Sequence, residues 1–538
     1  MGGSGGRSVA GRRWVRTTAV LVALACVFAG SWSADAVPKD KRPRTLAVTW
    51  LTAQLNGGLL HYDTTAGPVT DLSLSAEAAL ALNAAGAPDA TVIATWDALA
   101  AQAPAFIGTA PVTRAGATAQ ALLLSQAVRR NPSSFGGVDL VARLTATVSS
   151  SAPTVGRIVD QGVADTVDVA AQADAVDGLA QAGSAQSAAA TGYLLLQQCA
   201  EGYFRAALPL ISAADQSCEA GKAAGLSAPS TVATAKAILA LRRQRSNNAT
   251  VSAAVTRAAE WLKTTQAADG SFTENGVPTA TATGYAGRAL RTVGRTALGV
   301  RAAGWLRSLQ ADDVAPCSTA LTGEPGVIAP GPAALIAART DGIPAVDRRD
   351  WLAATIASVG VLAATPESSA ALLLSGPPTT FVKANTRKRL TIDGLAVGER
   401  GCLSGPGLAR AFTGTGASFV VWVSIPARTA IRTYTLTTGA ETRSVALRAL
   451  ARRRLPVTLK KRVRRGGVQV VTVRSLAPGE SVTIRFRGRK VAVGRAPSTG
   501  VFTGRFVVTG ALGRAKIAVT GQFPGSRRNI KYFSVRRS

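Results

Sequence analysis

Five stretches in the first part of the chain end in the same way, and this recurrence constrains the fold more than any other feature. Trp50 and Gln54 precede Gly57-Gly58. Gln126 precedes Ser134-Phe135-Gly136-Gly137, and Gln198 precedes Gly202-Tyr203-Phe204. Trp261 and Gln266 precede Asp269-Gly270-Ser271-Phe272, and Trp305 and Gln310 precede Asp312-Asp313. The glutamines are 72, 72, 68 and 44 residues apart. A second unit recurs between them, from Asp71 to Gly86 and again from Thr281 to Gly294. Self-similarity at such periods indicates stacked hairpins, each unable to bury its apolar face alone. Glycine accepts the left-handed backbone that ends a helix, and a glutamine amide can bond loop groups left orphaned there. An aromatic such as Phe272 can then plug the seam between hairpins.

Apolar residues at helical spacing predict helices over 46–54, 71–85, 91–103, 114–130, 138–147, 167–181 and 185–198. Others follow over 231–245, 252–266, 281–293, 296–309, 330–339 and 348–362. The run from Trp261 through Gln266 to Gly270 and Phe272 resembles the glutamine-rich, glycine-aromatic repeat of the terpenoid cyclase and protein prenyltransferase α/α-toroid superfamily. It is also similar to the prenyltransferase/squalene-oxidase-repeat proteins exported by actinobacteria. The resemblance covers residues 45–363. It implies a ring of about six inner and six outer helices around a central cavity.

After this body the composition changes. Alternating apolar runs at 419–425, 433–436, 468–473, 481–486, 504–508 and 515–519, punctuated by Gly and Pro, predict an antiparallel β-sandwich. Residues 476–484 resemble the turn and strand of bacterial immunoglobulin-like surface modules. The fold class is therefore multidomain, α then β: an α/α toroid followed by an antiparallel β-sandwich domain. The expected boundaries are an export signal at 1–36, an N-terminal arm at 37–44, the toroid at 45–375, a linker at 376–390 and the basic Ig-like domain at 391–538. That last segment has room for two small β units.

Charge divides along the same line. Residues 383–538 carry a net +28, whereas residues 45–382 carry a net −3. The cations concentrate in Arg452, Arg453, Arg454, Lys460, Lys461, Arg462, Arg464, Arg465, Arg485, Arg487, Arg489 and Lys490, with a further pair at Arg527-Arg528. The alternation of Arg485, Arg487 and Arg489 predicts three guanidiniums on one strand face. So much charge repels itself without a polyanion or counter-ions. The expected partner is an anionic cell-envelope polymer or lipid headgroups. Nucleic acid meets the same electrostatics, but export and few base-stacking aromatics argue against it.

Arg7, Arg12, Arg13 and Arg16, the apolar run 18–29 and Ala34-Asp35-Ala36 read as a cleavable export signal, giving a secreted or cell-wall-associated protein. Cys26 falls inside that signal. Cys199, Cys218, Cys317 and Cys402 remain, which suggests two disulfides with three possible connectivities. Cys199–Cys218 closes the shortest loop; Cys317–Cys402 would then tie the helical body to the β domain.

No catalytic residue, metal site or cofactor is assigned from the sequence. The single histidine, His61, reads as structural. Class II terpene cyclases protonate with an Asp-x-Asp-Asp acid, which the chain lacks. Asp312-Asp313 is the only Asp pair and reads as a solvated turn. An Asp/Cys/His zinc site has no support from one distant histidine. Asp160, Asp165, Asp168, Asp174 and Asp177 suit a polar helix face. The sequence favours a non-catalytic envelope scaffold or ligand cup docked through the basic domain. The alternatives are a binder of cobalamin or a small apolar ligand with transcobalamin-like architecture, and a terpene cyclase- or prenyltransferase-like enzyme.

Overall fold

The computed structural model describes residues 38–244 and 247–537. The expected export signal, including Cys26, lies outside the described residues. The first seven helices are α1 (Arg42–Ala53), α2 (Leu72–Ala84), α3 (Asp89–Ala101), α4 (Ala103–Ile107), α5 (Ala115–Ala127), α6 (Leu140–Ala146) and α7 (Val169–Gln181). They are followed by α8 (Ser187–Leu196), α9 (Cys218–Ala223), α10 (Thr231–Leu241) and α11 (Ala249–Thr265). The series ends with α12 (Ala280–Thr292), α13 (Thr296–Ser308), α14 (Pro332–Asp341) and α15 (Arg348–Val359). No helix among the described residues is long and apolar enough to cross a membrane.

The helices close into a ring. Helix α2 packs on α5, α5 on α7, α7 on α10, α10 on α12, α12 on α15, and α15 returns to α2. These six line a central cavity. An outer helix packs behind each: α3, α6, α8, α11, α13 and, behind α15, α1. The chain thus alternates inner and outer helices, so the inner six run in one direction. Inner helices are apolar on nearly every side; α10 buries nine of its eleven residues, mostly Ala, Thr and Leu. Small side chains let helix axes approach closely. Outer helices are one-sided, as in α11, where Val251, Ala254, Val255, Ala258 and Leu262 face inward.

One seam device repeats around the ring. Gly270 has φ +96° and Gly326 has φ +103°. A side chain at either would run into a backbone carbonyl of the next outer helix, Arg301 in α13 or Leu46 in α1. Gly58, Gly156 and Gly202 meet Ala94, Ala189 and Arg257 in the same way. Two residues later a buried apolar residue donates its backbone N–H to an inner-helix side chain. Leu60 bonds Ser75 Oγ, Phe204 bonds Thr234 Oγ1 and Phe272 bonds Thr283 Oγ1, each at 2.9 Å. Ile158 bonds Gln172 Oε1 at 2.9 Å and Ile328 bonds Thr355 Oγ1 at 3.0 Å.

The glutamines add a second stitch at three consecutive seams. Gln198 Nε2 donates to Gly202 O and Ala254 O, both at 2.9 Å. Gln266 Nε2 donates to Gly270 O and Leu298 O, both at 3.0 Å. Gln310 Nε2 donates to Gly326 O at 3.2 Å and Pro43 O at 2.8 Å, sealing α13 to α1. Gln54 and Gln126 behave differently: the first bonds Trp50 O in its own helix and the second Gly178 O in α7.

Two β-sandwiches follow. In the first, the strands Phe419–Ile425, Thr386–Asp393 and Leu373–Ser375 form one sheet. The other sheet has the order Leu408–Thr413, Arg400–Gly405, Ala430–Thr438, Thr442–Leu450, Phe381–Lys383. Leu390, Ile392, Leu403, Val421 and Leu436 fill the space between. The expected linker 376–390 is therefore a correction: most of it is strand, and residues 373–375 belong to the sandwich rather than to the toroid. Alternation in Thr386–Asp393 is hidden by Lys388, which stands in line with the buried Leu390 and Ile392. In the second sandwich the sheet order is Arg453–Arg454, Arg527–Arg536, Gly513–Thr520, Ser481–Phe486, Arg489–Arg495. It faces Val457–Leu459, Val468–Val473 and Phe502–Val507. Pairing is antiparallel except where Phe381–Lys383, Arg453–Arg454 and Arg462–Arg464 add in parallel at edges.

Both disulfides form: Cys199–Cys218, with Cα atoms 5.1 Å apart, and Cys317–Cys402, at 5.7 Å. The second joins toroid to first sandwich, beside an ion pair of Arg400 and Asp313 at 3.1 Å. The Asp312-Asp313 turn is thus not solvated, which corrects the expectation. The Asp313 side chain is 2% exposed, and Asp312 pairs with Arg42. Burial at the domain junction supplies the cations that these acids need.

Substituting Gly326→Ala should destabilise the helical body by about 2–4 kcal/mol, through left-handed strain plus overlap with Leu46. Gly323→Ala, whose added Cβ meets nothing within 4 Å, should change stability by less than about 0.5 kcal/mol. Denaturant titration followed by helical circular dichroism measures both.

Candidate functional site

The seam geometry sets what faces the ring's interior. Residues two apart on a helix differ by about 200° in direction. Two positions beyond the seam-bonding Ser75, Gln172, Thr234, Thr283 and Thr355 stand Glu77, Asp174, Lys236, Tyr285 and Ala357; Gln120 of α5 completes this tier. Three residues further along come Leu80, Leu123, Asp177, Leu239, Arg288 and Gly360. A third tier, with Gln126, Gln181, Arg242 and Arg243, leads to solvent at the C-terminal ends of the inner helices. Together they enclose a cavity of about 380 Å³.

The first tier is an ion-paired cluster. Lys236 Nζ lies 3.0 Å from Asp174 Oδ2 and 3.3 Å from Glu77 Oε1, and 5.4 Å above the Tyr285 ring. Gln120 Nε2 donates to Glu77 Oε1 at 3.4 Å. Burial works against the Lys236 charge, but Asp174 and Glu77 outweigh it and hold the ammonium well above its ordinary range. Burial pushes the Asp174 carboxyl up, with Lys236 opposing. Burial also pushes the Tyr285 phenol up, with Glu77 adding. Lys236 is accordingly a fixed cation rather than a free amine nucleophile.

At the mouth, Asp177 meets Arg243 Nε at 3.2 Å and Arg242 Nη1 at 3.6 Å. Burial raises the Asp177 carboxyl and lowers the Arg242 guanidinium. Arg242 also donates to Leu239 O, so part of its work is to satisfy a helix C-terminus. Of the five aspartates read as a polar helix face, Asp174 and Asp177 line this cavity. Asp168 caps α7, Asp165 pairs with Arg157 at 2.6 Å, and buried Asp160 accepts from Ala115 N at 2.7 Å. His61 lies exposed in the strand Leu59–Thr64, with Thr70 Oγ1 2.9 Å from Nδ1 and Asn56 O 3.2 Å from Nε2. Cys199, Glu201 and Glu219 lie close together, but the sulfur is engaged in its disulfide.

Glu77, Gln120, Lys236, Tyr285 and Arg288 were not expected at a site from the sequence. A signal existed for two of them. Glu77 is the lone charged residue of α2 and Lys236 that of α10, each placed in an otherwise apolar run.

The second candidate surface is the terminal sandwich. Residues 451–538 hold 22 Lys/Arg and a single acid, Glu480. Glu480 is buried against Arg527, at 2.5 and 2.8 Å, and also accepts from Ala477 N. Arg527 is therefore an internal strut, not a surface cation. Arg453–Arg454 and Arg462–Arg464 pair side by side along one edge of the strand Arg527–Arg536. At 3.3 Å per residue, Arg453 to Arg464 spans about 30 Å along that edge. Arg452, Arg453, Arg454, Ser526, Arg528 and Asn529 line an open groove of about 340 Å³ there. Lys460, Lys461 and Arg465 stand at the other end of that edge, beside Arg462–Arg464, and are exposed.

The other predicted cations lie at the opposite edge. The expectation of one strand face for Arg485, Arg487 and Arg489 is corrected. The strand ends at Phe486, Arg487 turns the hairpin with φ +49°, and Arg489 opens the next strand. Gly488 permits that turn, which the alternation of arginines concealed.

No family model and no curated protein matches the chain. Among solved structures, the chain is similar to the type II terpene cyclase MstE from Scytonema, with 16% identity and TM-score 0.39 over 50% of this chain and 79% of that one. It is similar to the ent-copalyl diphosphate synthase from Streptomyces platensis, with 19% identity and TM-score 0.33 over 56% of this chain and 52% of that one. It is also similar to the Yersinia pseudotuberculosis adhesin InvE, with 10% identity and TM-score 0.19 over 31% of this chain and 58% of that one. At these values the ring and the sandwiches rest on their own helix and strand contacts.

Replacing Lys236 with Met should cost about 3–5 kcal/mol at neutral pH, because Glu77 and Asp174 would be left facing each other without a cation. Without Lys236 to oppose it, burial would hold the Asp174 carboxyl further above its ordinary range. Stability lost in the variant should return as pH falls through that raised range, where Asp174 becomes neutral. Urea unfolding of wild type and variant between neutral and mildly acidic pH checks the sign.

Proposed function

We propose that this chain is an exported, non-catalytic cell-envelope protein of the toroid-repeat kind, whose terminal sandwich docks it on an anionic surface polymer. The single observation that carries this reading is the use of Glu480. The one acid available to neutralise 22 cations is spent inside the core on Arg527, so the surface charge has no internal counterpart. Exposed like charges along a sheet edge cost free energy unless counter-ions or a polyanion sit against them. Edge arginines also discourage edge-to-edge association, and polymer docking uses the same exposure. The extended basic edge suits a linear polymer, because an arginine fork can grip phosphate or carboxylate in two-point fashion. Two disulfides agree with an oxidising location.

A catalytic reading has less support. The carboxylates of the first tier are tied to an ammonium, and the one aromatic among the described lining residues is Tyr285. A cavity of about 380 Å³ with a charged lining also suits neither cobalamin nor a purely apolar ligand.

The test is retention of the full chain on purified anionic wall polymer. Exchanging Arg453, Arg454, Arg462 and Arg464 together for Gln should remove about 1–4 kcal/mol of attraction, a loss of about tenfold or more in affinity. Added salt should weaken wild-type retention in the same direction. Retention that survives both changes contradicts the docking role.

A further inference from the structure

We infer that the ring cavity binds a small zwitterion of dipeptide size, with its ammonium deep and its carboxylate at the mouth. This goes beyond polymer docking and uses a different domain. Charge is graded along the cavity axis. The first tier sets Glu77 and Asp174 against Lys236 and so keeps one surplus negative charge. The outer tiers set Asp177 against Arg242, Arg243 and Arg288 and so keep two surplus positive charges. A dipolar ligand aligned with this gradient gains at both ends; a simple anion or cation gains at one.

Arg288, half-buried, has no ion pair with an acid among the described residues and would take the carboxylate.

Length selects the ligand. The three tiers are separated by about 5 Å and then about 5 Å along the helix axis. An extended dipeptide spans about 7 Å, so with a hydrogen bond of about 3 Å at each end it bridges the first tier to the third, whereas a single amino acid falls short. Leu80, Leu123 and Leu239 give the middle tier an apolar flank for small side chains.

The experiment is titration calorimetry of the full chain with L-Ala-L-Ala, D-Ala-D-Ala, L-Ala-D-Ala, their N-acetyl and C-amide forms, and alanine. At least one free dipeptide should bind saturably, and either cap should weaken it about tenfold or more. Arg288→Gln should lower affinity for that dipeptide to a similar degree, yet leave affinity for its C-amide unchanged. The melting temperature of the unliganded variant should match wild type, which separates lost recognition from lost folding. No saturable binding of any dipeptide at millimolar concentration overturns the inference. So does binding indifferent to both caps, or an Arg288→Gln effect equal for acid and amide. None of these outcomes bears on retention by wall polymer.

Discussion

Ring closure depends on a backbone contact that only glycine permits. After each of five outer helices the chain turns through a left-handed glycine pressed against a carbonyl of the next outer helix, and two residues later it bonds the inner helix. A single such contact is a local turn. Repeated around the circle, and reinforced by glutamine amides at three seams, it fixes the rotation from one hairpin to the next. The last contact, from Gly326 to Leu46, joins the C-terminal end of the ring to its first helix. Without it the same hairpins would form an open stack, because nothing within one hairpin specifies a return.

The cavity follows from that rotation. Once Ser75, Gln172, Thr234, Thr283 and Thr355 are pinned to seam loops, helical geometry turns the residues two positions on into the centre. Lone charges that look anomalous in apolar helices, Glu77 and Lys236, therefore meet from opposite sides of the ring. Their sequence separation is 159 residues. No local pattern announces such a pair, which explains why the aspartates near it read as an ordinary polar face.

Much of the fold was legible for physical reasons that operate over short distances. Helix periods, the glycine stops and the Gln–Gly-aromatic repeat are local, and all thirteen predicted helices have counterparts. Two short helices, Ala103–Ile107 and Cys218–Ala223, are too brief to show a period. Strands such as Phe419–Ile425, Val468–Val473 and Ser481–Phe486 were readable because apolar residues alternate cleanly. Thr386–Asp393 and Arg527–Arg536 were not, because Lys388 shares a face with Leu390 and Ile392, and Arg527 and Asn529 are buried on the face of Phe533 and Val535, which breaks the apolar signal. The basic edge was legible as charge, but its geometry was not. Parallel pairing of Arg453–Arg454 and Arg462–Arg464 on one strand is set by tertiary contacts.

The molecule thus has two electrostatically distinct parts. Across residues 45–382 acids and cations nearly balance in number, with a net −3, and the junction with the first sandwich is sealed by Cys317–Cys402 and Arg400–Asp313. In the terminal sandwich the only acid is withdrawn into the core. The cavity and its ion pairs presuppose that the helical hairpins meet end to end. Site-resolved amide hydrogen exchange measures this directly. The Ile328 amide, at the closing seam, should exchange as slowly as the Phe272 amide at an internal seam. Fast exchange at Ile328 with slow exchange at Phe272 would show an open stack and contradict the ring.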